Sequence, residues 1–245
     1  MRKLFEEYRT FLREARDSFE TVGAVMPSGR FLARAITQEL RTRKGSIRVL
    51  EVGPGTGALT WEIVRYIHPK DQFDVVELNA EFVAALRDRF QHDWHFRRVA
   101  DQTRIFHMPL QELEGDQLYD FVISGLPLNS FPTQLVHSIF RSFRRLIKPG
   151  GVLSFFEYLW IRDVRRLFVT PRERRRLVRL GSVIDRYLSS YEFRRDTVLV
   201  NVPPALVHHL RLCSVAATGT QGESVTRRTS SRRRTRQKRL VPSQD

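Results

Sequence analysis

The chain has 245 residues, 42 Lys and Arg against 27 Asp and Glu, a formal charge of +15 and a single cysteine. Its length fits one large domain or two small ones, and 41% hydrophobic residues suffice for a sizeable core, which excludes disorder of the whole chain. Cys213 alone cannot make an internal disulfide framework or a Cys-based zinc cluster, and no metal site is expected.

The N-terminal MRKLFEEYRTF lacks an apolar core segment, so no signal peptide is expected. Within residues 1–20, Leu4, Phe5, Tyr8, Phe11, Leu12, Ala15 and Phe19 recur at spacings of three and four. This pattern predicts an amphipathic helix that either packs on its own domain or lies in a membrane interface. A second helical stretch covers Phe31 to Arg41.

The period then changes. Ile47 to Val52 reads as a short apolar strand running into Gly53-Pro54-Gly55-Thr56-Gly57, followed by a helix from Ala58 to Tyr66. Phe73 to Glu77, Arg104 to His107, Tyr119 to Ser124 and Val152 to Tyr158 read as further strands, with helices at Ala80–Phe90 and Pro132–Ile147. The uncharged run Phe121–Phe140 is long enough to span a bilayer, but Pro127, Pro132, Asn129 and Gln134 argue against a membrane helix. Strands alternating with helices predict a mostly parallel sheet covered on both faces. A helix ending near Leu188 leads to two last strands, Phe193–Asn201 and Ala205–Leu212, separated only by Val202-Pro203-Pro204 and therefore antiparallel neighbours.

The charge is uneven along this chain. Residues 162–179 hold eight Arg against two acids, and residues 214–245 hold eight Lys and Arg against two acids, so the remainder is nearly neutral. The tail has almost no large apolar residues and is read as disordered. These basic segments suit an acidic membrane surface or nucleic acid.

Glycines 53, 55 and 57 sit where a strand meets a helix, where ligands bind in open parallel sheets. Gly53-x-Gly55-x-x-Ala58 also satisfies the relaxed dinucleotide pattern. A pyrophosphate, however, favours a helix N-terminus without a competing acid, and Glu51 stands two residues before the first glycine. A carboxylate there suits a cofactor with cationic groups, an ammonium beside a sulfonium, which is S-adenosyl-L-methionine. Glu77, at the end of the second strand, is placed to accept ribose hydroxyls.

Glu51-Val-Gly-Pro-Gly-Thr-Gly57 resembles motif I of the class I S-adenosylmethionine-dependent methyltransferases. Ser124-Gly-Leu-Pro-Leu-Asn-Ser-Phe-Pro132, Thr21-x-Gly-Ala-Val-x-Pro-Ser28 and Asn201-Val-Pro-Pro-Ala205 are similar to motifs of bacterial phospholipid N-methyltransferases, and the resemblance covers residues 1–212. It implies an α/β, Rossmann-like fold with a seven-stranded, mostly parallel sheet and a reversed last strand. It also implies methyl transfer to phosphatidylethanolamine and its methylated products, and a membrane-engaging N-terminal helix. Glu51, Gly53, Gly55 and Glu77 would be cofactor contacts by motif position, with Gly57, Met108 packing on the adenine and Ser124 beside them. The chain departs from the resemblance at Leu128-Asn129, where bulkier residues are usual, and at His107-Met108-Pro109, where an acid often caps the adenine.

Tyr8 and Tyr158 are candidates for positioning the acceptor amine, because aromatic faces stabilise methylated ammonium groups; Phe131 and Trp160 are weighed with them. Phe5, Phe11, Leu126, Pro127, Arg174 and Arg175 are candidates for contact with substrate or membrane. His107, His137, His208 and His209 are expected to be ordinary surface or core histidines. The organisation expected is a helical cap over residues 1–42, a cofactor-binding domain over 43–213 and a basic tail over 214–245, in a cytoplasmic protein held peripherally at the membrane face. The alternative is an RNA adenine methyltransferase. Ser124-Gly-Leu-Pro-Leu lacks the Asn and the aromatic residue that such enzymes use to hold and stack a base.

Overall fold

The computed structural model describes residues 29–159, 171–201 and 203–212. The expectations for Phe5, Tyr8, Phe11, Trp160 and the tail lie outside these residues, as does the side chain of Arg174.

Seven strands form one sheet in the order β3-β2-β1-β4-β5-β7-β6. They are β1 (Arg48–Val52), β2 (Gln72–Glu77), β3 (Thr103–His107), β4 (Tyr119–Ser124), β5 (Ile147–Tyr158), β6 (Glu192–Val198) and β7 (Ala205–Arg211). Strands β1 to β5 pair in parallel, whereas β7 runs antiparallel to both β5 and β6. The helices are α1 (Gly29–Ile36), α2 (Ala58–Ile63), α3 (Ala80–His92), α4 (Trp94–Arg97), α5 (Thr133–Leu146) and α6 (Pro171–Tyr191). The seven-stranded Rossmann-like sheet with its reversed last strand is therefore as expected.

Alternation along each strand divides the core into two layers. Val49, Phe73, Val75 and Ile123 face Leu32 and Ile36 of α1, Leu59 and Ile63 of α2, and Leu86 and Phe90 of α3. Leu50, Val52, Val122, Leu153 and Phe155 face the apolar stripe of α5, with Leu180, Val183 and Ile184 of α6. Phe140 of α5 stacks on Tyr187 of α6 with ring centroids 4.2 Å apart. The chain between Phe121 and Phe140 is thus strand, turn and helix, and among the described residues no helix is long and apolar enough to cross a membrane.

A polar network is built into this core. Asp74 of β2 is fully buried and accepts hydrogen bonds from Arg48, Arg104 and the Tyr119 hydroxyl, the last at 2.7 Å. Burial opposes its ionisation, but the bonds from Arg104, Tyr119 and Arg48 outweigh it and hold the carboxyl below its ordinary value. The four residues lie on β1, β2, β3 and β4, so this network ties the first half of the sheet together.

Several boundaries differ from the sequence reading. The helix expected over Phe31–Arg41 is α1 followed by a 3-10 turn, Gln38–Thr42. The Thr37 hydroxyl donates to the Ala33 carbonyl at 2.7 Å at that junction, a local bond that competes with helix continuation. The sixth strand ends at Val198, not Asn201, leaving Leu199 and Val200 in the turn. The short α4 has no apolar period of its own; Asp93 caps it by accepting from His95 N at 2.9 Å.

Candidate active site

The site lies at the carboxyl edge of the parallel strands, where β1 leads into the glycine loop. Gly53 N donates to Val76 O at 3.0 Å and Gly125 N to Val52 O at 2.8 Å, so strand pairing extends into the loops on both sides. Gly53, Gly55 and Gly57 have φ of 68°, 56° and 83°, the left-handed region that favours glycine. A Cβ on Gly53 would meet Leu126 Cδ2 at 2.5 Å, and one on Gly125 would meet Gly53 O at 2.5 Å. A Cβ on Gly55 would meet nothing within 4 Å. The loop is thus pressed against the segment after β4 at one end and open above Gly55.

Glu51 sits beneath this loop at 0% exposure, and neither carboxylate oxygen has a hydrogen-bond partner. Thr60 of α2 lies close, its buried hydroxyl likewise without a partner. Burial pushes the Glu51 carboxyl up to about 8; repulsion from Glu77 adds to this, and Thr60 offsets part of it. An orphaned buried carboxyl is costly unless a ligand satisfies it, and a cation is the group that does so best.

Glu77 is buried at the end of β2. Its Oε1 accepts from Leu78 N at 2.7 Å and Asn79 N at 2.8 Å, and its Oε2 accepts from Gly55 N at 3.2 Å. Burial raises its pKa, and the three amides only partly counter that. A carboxylate offers about four acceptor positions, so Oε2 keeps capacity for a hydroxyl. Asn79 then caps α3 by accepting from Glu81 N at 2.8 Å, which fixes the backbone around the acid.

Met108 is half-buried against the core layer of α5, and its N–H donates to Glu77 O at 3.2 Å. Ser124 is buried at the end of β4, its hydroxyl accepting from Leu126 N at 3.4 Å. The structure therefore brings Glu51, Gly53, Gly55, Gly57, Glu77, Met108 and Ser124 to adjacent strand ends. Leu126 is 2% exposed and packs on Gly53, while Pro127 stays partly exposed beside it. Phe131 is fully buried in the core. Tyr158 ends β5 on the same edge, half-buried with its ring edge-on to Phe156 at 5.2 Å, and burial pushes its phenol up to about 12. Arg175 is exposed on α6. His107 and His137 are exposed, and His208 and His209 are buried. His208 Nδ1 lies 2.6 Å from Glu192 Oε1, and His209 Nδ1 lies 2.8 Å from the Ser154 hydroxyl.

Two contributors were not singled out in the sequence. Thr60 lies in the first turn of a short helix and carries no motif. Arg89 of α3 donates to Thr56 O at 3.1 Å, bracing the loop from behind, with its guanidinium over Phe96 at 4.1 Å. An arginine in the exposed period of a helix gives no sign of that reach.

A methyltransferase-domain family model matches residues 49–151. The chain is 32% identical over 150 residues to the ornithine lipid N-methyltransferase of Singulisphaera acidiphila, covering 60% of this chain and 77% of that protein. It belongs to the class I S-adenosylmethionine-dependent methyltransferases. The 1,6-didemethyltoxoflavin-N1-methyltransferase of Burkholderia thailandensis superposes with a TM-score of 0.58 over 85% of this chain and 90% of that one, at 15% identity. At that identity the likeness shows the fold alone. The methyltransferase also matches 122 residues of the hybrid PKS-NRPS synthetase iccA of Talaromyces variabilis at 24% identity, covering 49% of this chain and 3% of that protein. Its cofactor is S-adenosyl-L-methionine. The orphaned Glu51 carboxyl and the open space above Gly55 fit that group, with its ammonium and its ribose.

Proposed function

We propose that this methyltransferase transfers methyl groups to the amine of a membrane amino-lipid, phosphatidylethanolamine in the first place, at the surface of the bilayer. The observation that carries the reading is the 32% identity to a lipid N-methyltransferase over 77% of that protein's length. The Ser124-Gly-Leu-Pro segment supports it, because it resembles a motif of phospholipid methyltransferases and packs directly on the glycine loop.

Glu51 holds the ammonium of the cofactor, and Glu77 takes a ribose hydroxyl on Oε2 while its other bonds fix the loop. Met108 packs on the adenine, and Ser124 lines the cleft floor. Bound S-adenosyl-L-methionine supplies an electrophilic methyl group. The chain's own task is then to bring a neutral amine into line and exclude water, which can account for most of the acceleration. Tyr158 stands at the rim as one wall for the amine, its neutral ring compatible with a methylated cation at ~0.5–2 kcal/mol. Tyr8, outside the described residues, is proposed as a second aromatic contact for the amine.

The relative's name favours a second acceptor, ornithine lipid. Offering the two lipids in separate vesicles of otherwise equal composition, with methyl-labelled cofactor, discriminates between them. Label in phosphatidylethanolamine at the higher kcat/KM supports the first reading, and preferential label in ornithine lipid replaces it with the second. Label in neither sinks the amino-lipid reading.

A further inference from the structure

The turn between β6 and β7 carries large aliphatic side chains where a solvated turn carries polar ones. Leu199 is 69% exposed and Val200 60% exposed. Single exposed apolar residues are ordinary; two adjacent ones at a hairpin tip form a small continuous apolar patch. The tip is held in place. Asn201 is buried and its Nδ2 donates to Pro203 O at 2.7 Å; Leu159 N donates to Pro204 O at 2.7 Å. The second bond ties the tip to the chain leaving β5, one residue beyond Tyr158.

Register places this tip at the same edge of the sheet as the glycine loop. Val52 of β1 pairs with Ser124 of β4, Ser124 with Phe155 of β5, and Tyr158 with Ala205 at the start of β7. Tyr158 is three residues past Phe155, about 10 Å at the strand rise, so the hairpin tip stands beyond the strand ends that hold the cofactor. Helix α6 ends where β6 begins, at the opposite edge, and its 21 residues extend about 30 Å. Its first turns therefore lie toward the cleft edge. Residues 171–179 hold five Arg against one Glu, and among them Arg175, Val178 and Arg179 are exposed.

We propose that Leu199 and Val200 form an apolar wedge that enters the interface of an anionic bilayer, with the arginine-rich start of α6 reaching the phosphates beside it. An apolar tip at the same edge as an arginine-rich helix start matches a lipid surface in both layers, acyl boundary below and anionic headgroups above. The wedge turns the cleft mouth toward the membrane, so a lipid amine enters without leaving the bilayer. Its purpose rests on the lipid reading above, but its test does not, because vesicle binding is measured without methyl transfer.

The test uses the full chain and vesicles of phosphatidylethanolamine with phosphatidylglycerol. Replacing both residues, Leu199→Ser with Val200→Ser, should lower vesicle partition by at least about tenfold. Melting temperature, calorimetric affinity for S-adenosylmethionine and transfer to a short-chain lipid below its micellar concentration should stay unchanged. In a Cys213→Ser background, an environment-sensitive dye on Leu199→Cys should brighten on vesicles, while the same dye on Asp101→Cys, exposed just before β3 at the opposite edge of the sheet, should not. Undiminished partition of the double variant, or a silent dye at position 199, overturns the wedge. A dye that responds in a protein that methylates no lipid keeps the wedge and sinks the lipid reading.

Discussion

Glu51 is the residue on which the proposed cofactor site turns. Its folded pKa lies above its unfolded value, so the folded state keeps a proton that the unfolded state loses between about pH 4.5 and 8. Stability without cofactor therefore falls as pH rises through that window and levels off above it. Glu51→Gln should flatten the dependence, by up to about 3–5 kcal/mol across the window, as read from denaturant midpoints at pH 5 and 8. Binding a cationic ammonium requires the carboxylate, so cofactor binding below pH 8 releases a proton. Calorimetry in buffers of different ionisation enthalpy should find close to one proton released at pH 6.5, with affinity rising up to about tenfold per pH unit. Glu51→Gln should lose that release and bind at least about tenfold more weakly, whereas an unchanged affinity would place the ammonium elsewhere. The placement of Glu51, the glycines and Glu77 at one sheet edge is legible in the sequence because motif spacing fixes them along one strand-loop unit. That of Thr60 and Arg89 is not, because their contacts are made across elements.

At the scale of elements, the glycine loop and the segment after β4 act as one clamp. Gly53→Ala adds a methyl 2.5 Å from Leu126 Cδ2 at a left-handed backbone position, and should cost about 1–3 kcal/mol of stability together with cofactor affinity. Adding Leu126→Ala should recover the steric part and leave the backbone part, a coupling that a double-mutant cycle in denaturant measures. Additive losses would mean that the two segments do not press on each other. The strand and helix order was legible from alternating periods, since buried parallel strands and amphipathic helices carry distinct repeats. The hairpin strand is shorter than the sequence pattern suggests: Leu199 and Val200 look like strand residues by their β-branched and aliphatic chemistry, yet they lie in the turn that Asn201 helps to hold. The short α4 leaves no pattern in the sequence, because one turn is too little for any period.

Over the whole molecule, the excess charge separates from the catalytic body. The described core is an ordinary two-layer cover on a sheet, and its ionic groups are largely paired in place, as around Asp74. The positive surplus gathers in the two basic segments, and the structure describes part of one of them, the start of α6. If those arginines hold phosphates, replacing Arg174, Arg175 and Arg176 with Gln should lower binding to anionic vesicles by roughly 1 kcal/mol per charge, and raised salt should do the same to the native chain. Equal binding to neutral vesicles would show a solvated helix face instead. The N-terminal helix and the tail were read from composition and period alone and lie outside the described residues.

The central claim is that the methyl group goes to a lipid amine. Incubating the full chain with methyl-labelled S-adenosylmethionine, phosphatidylethanolamine vesicles and total RNA in one vessel tests it directly. Label should enter the lipid phase, and should vanish when phosphatidylglycerol replaces phosphatidylethanolamine. Label recovered in RNA, or absent from every amine-bearing lipid, would contradict it.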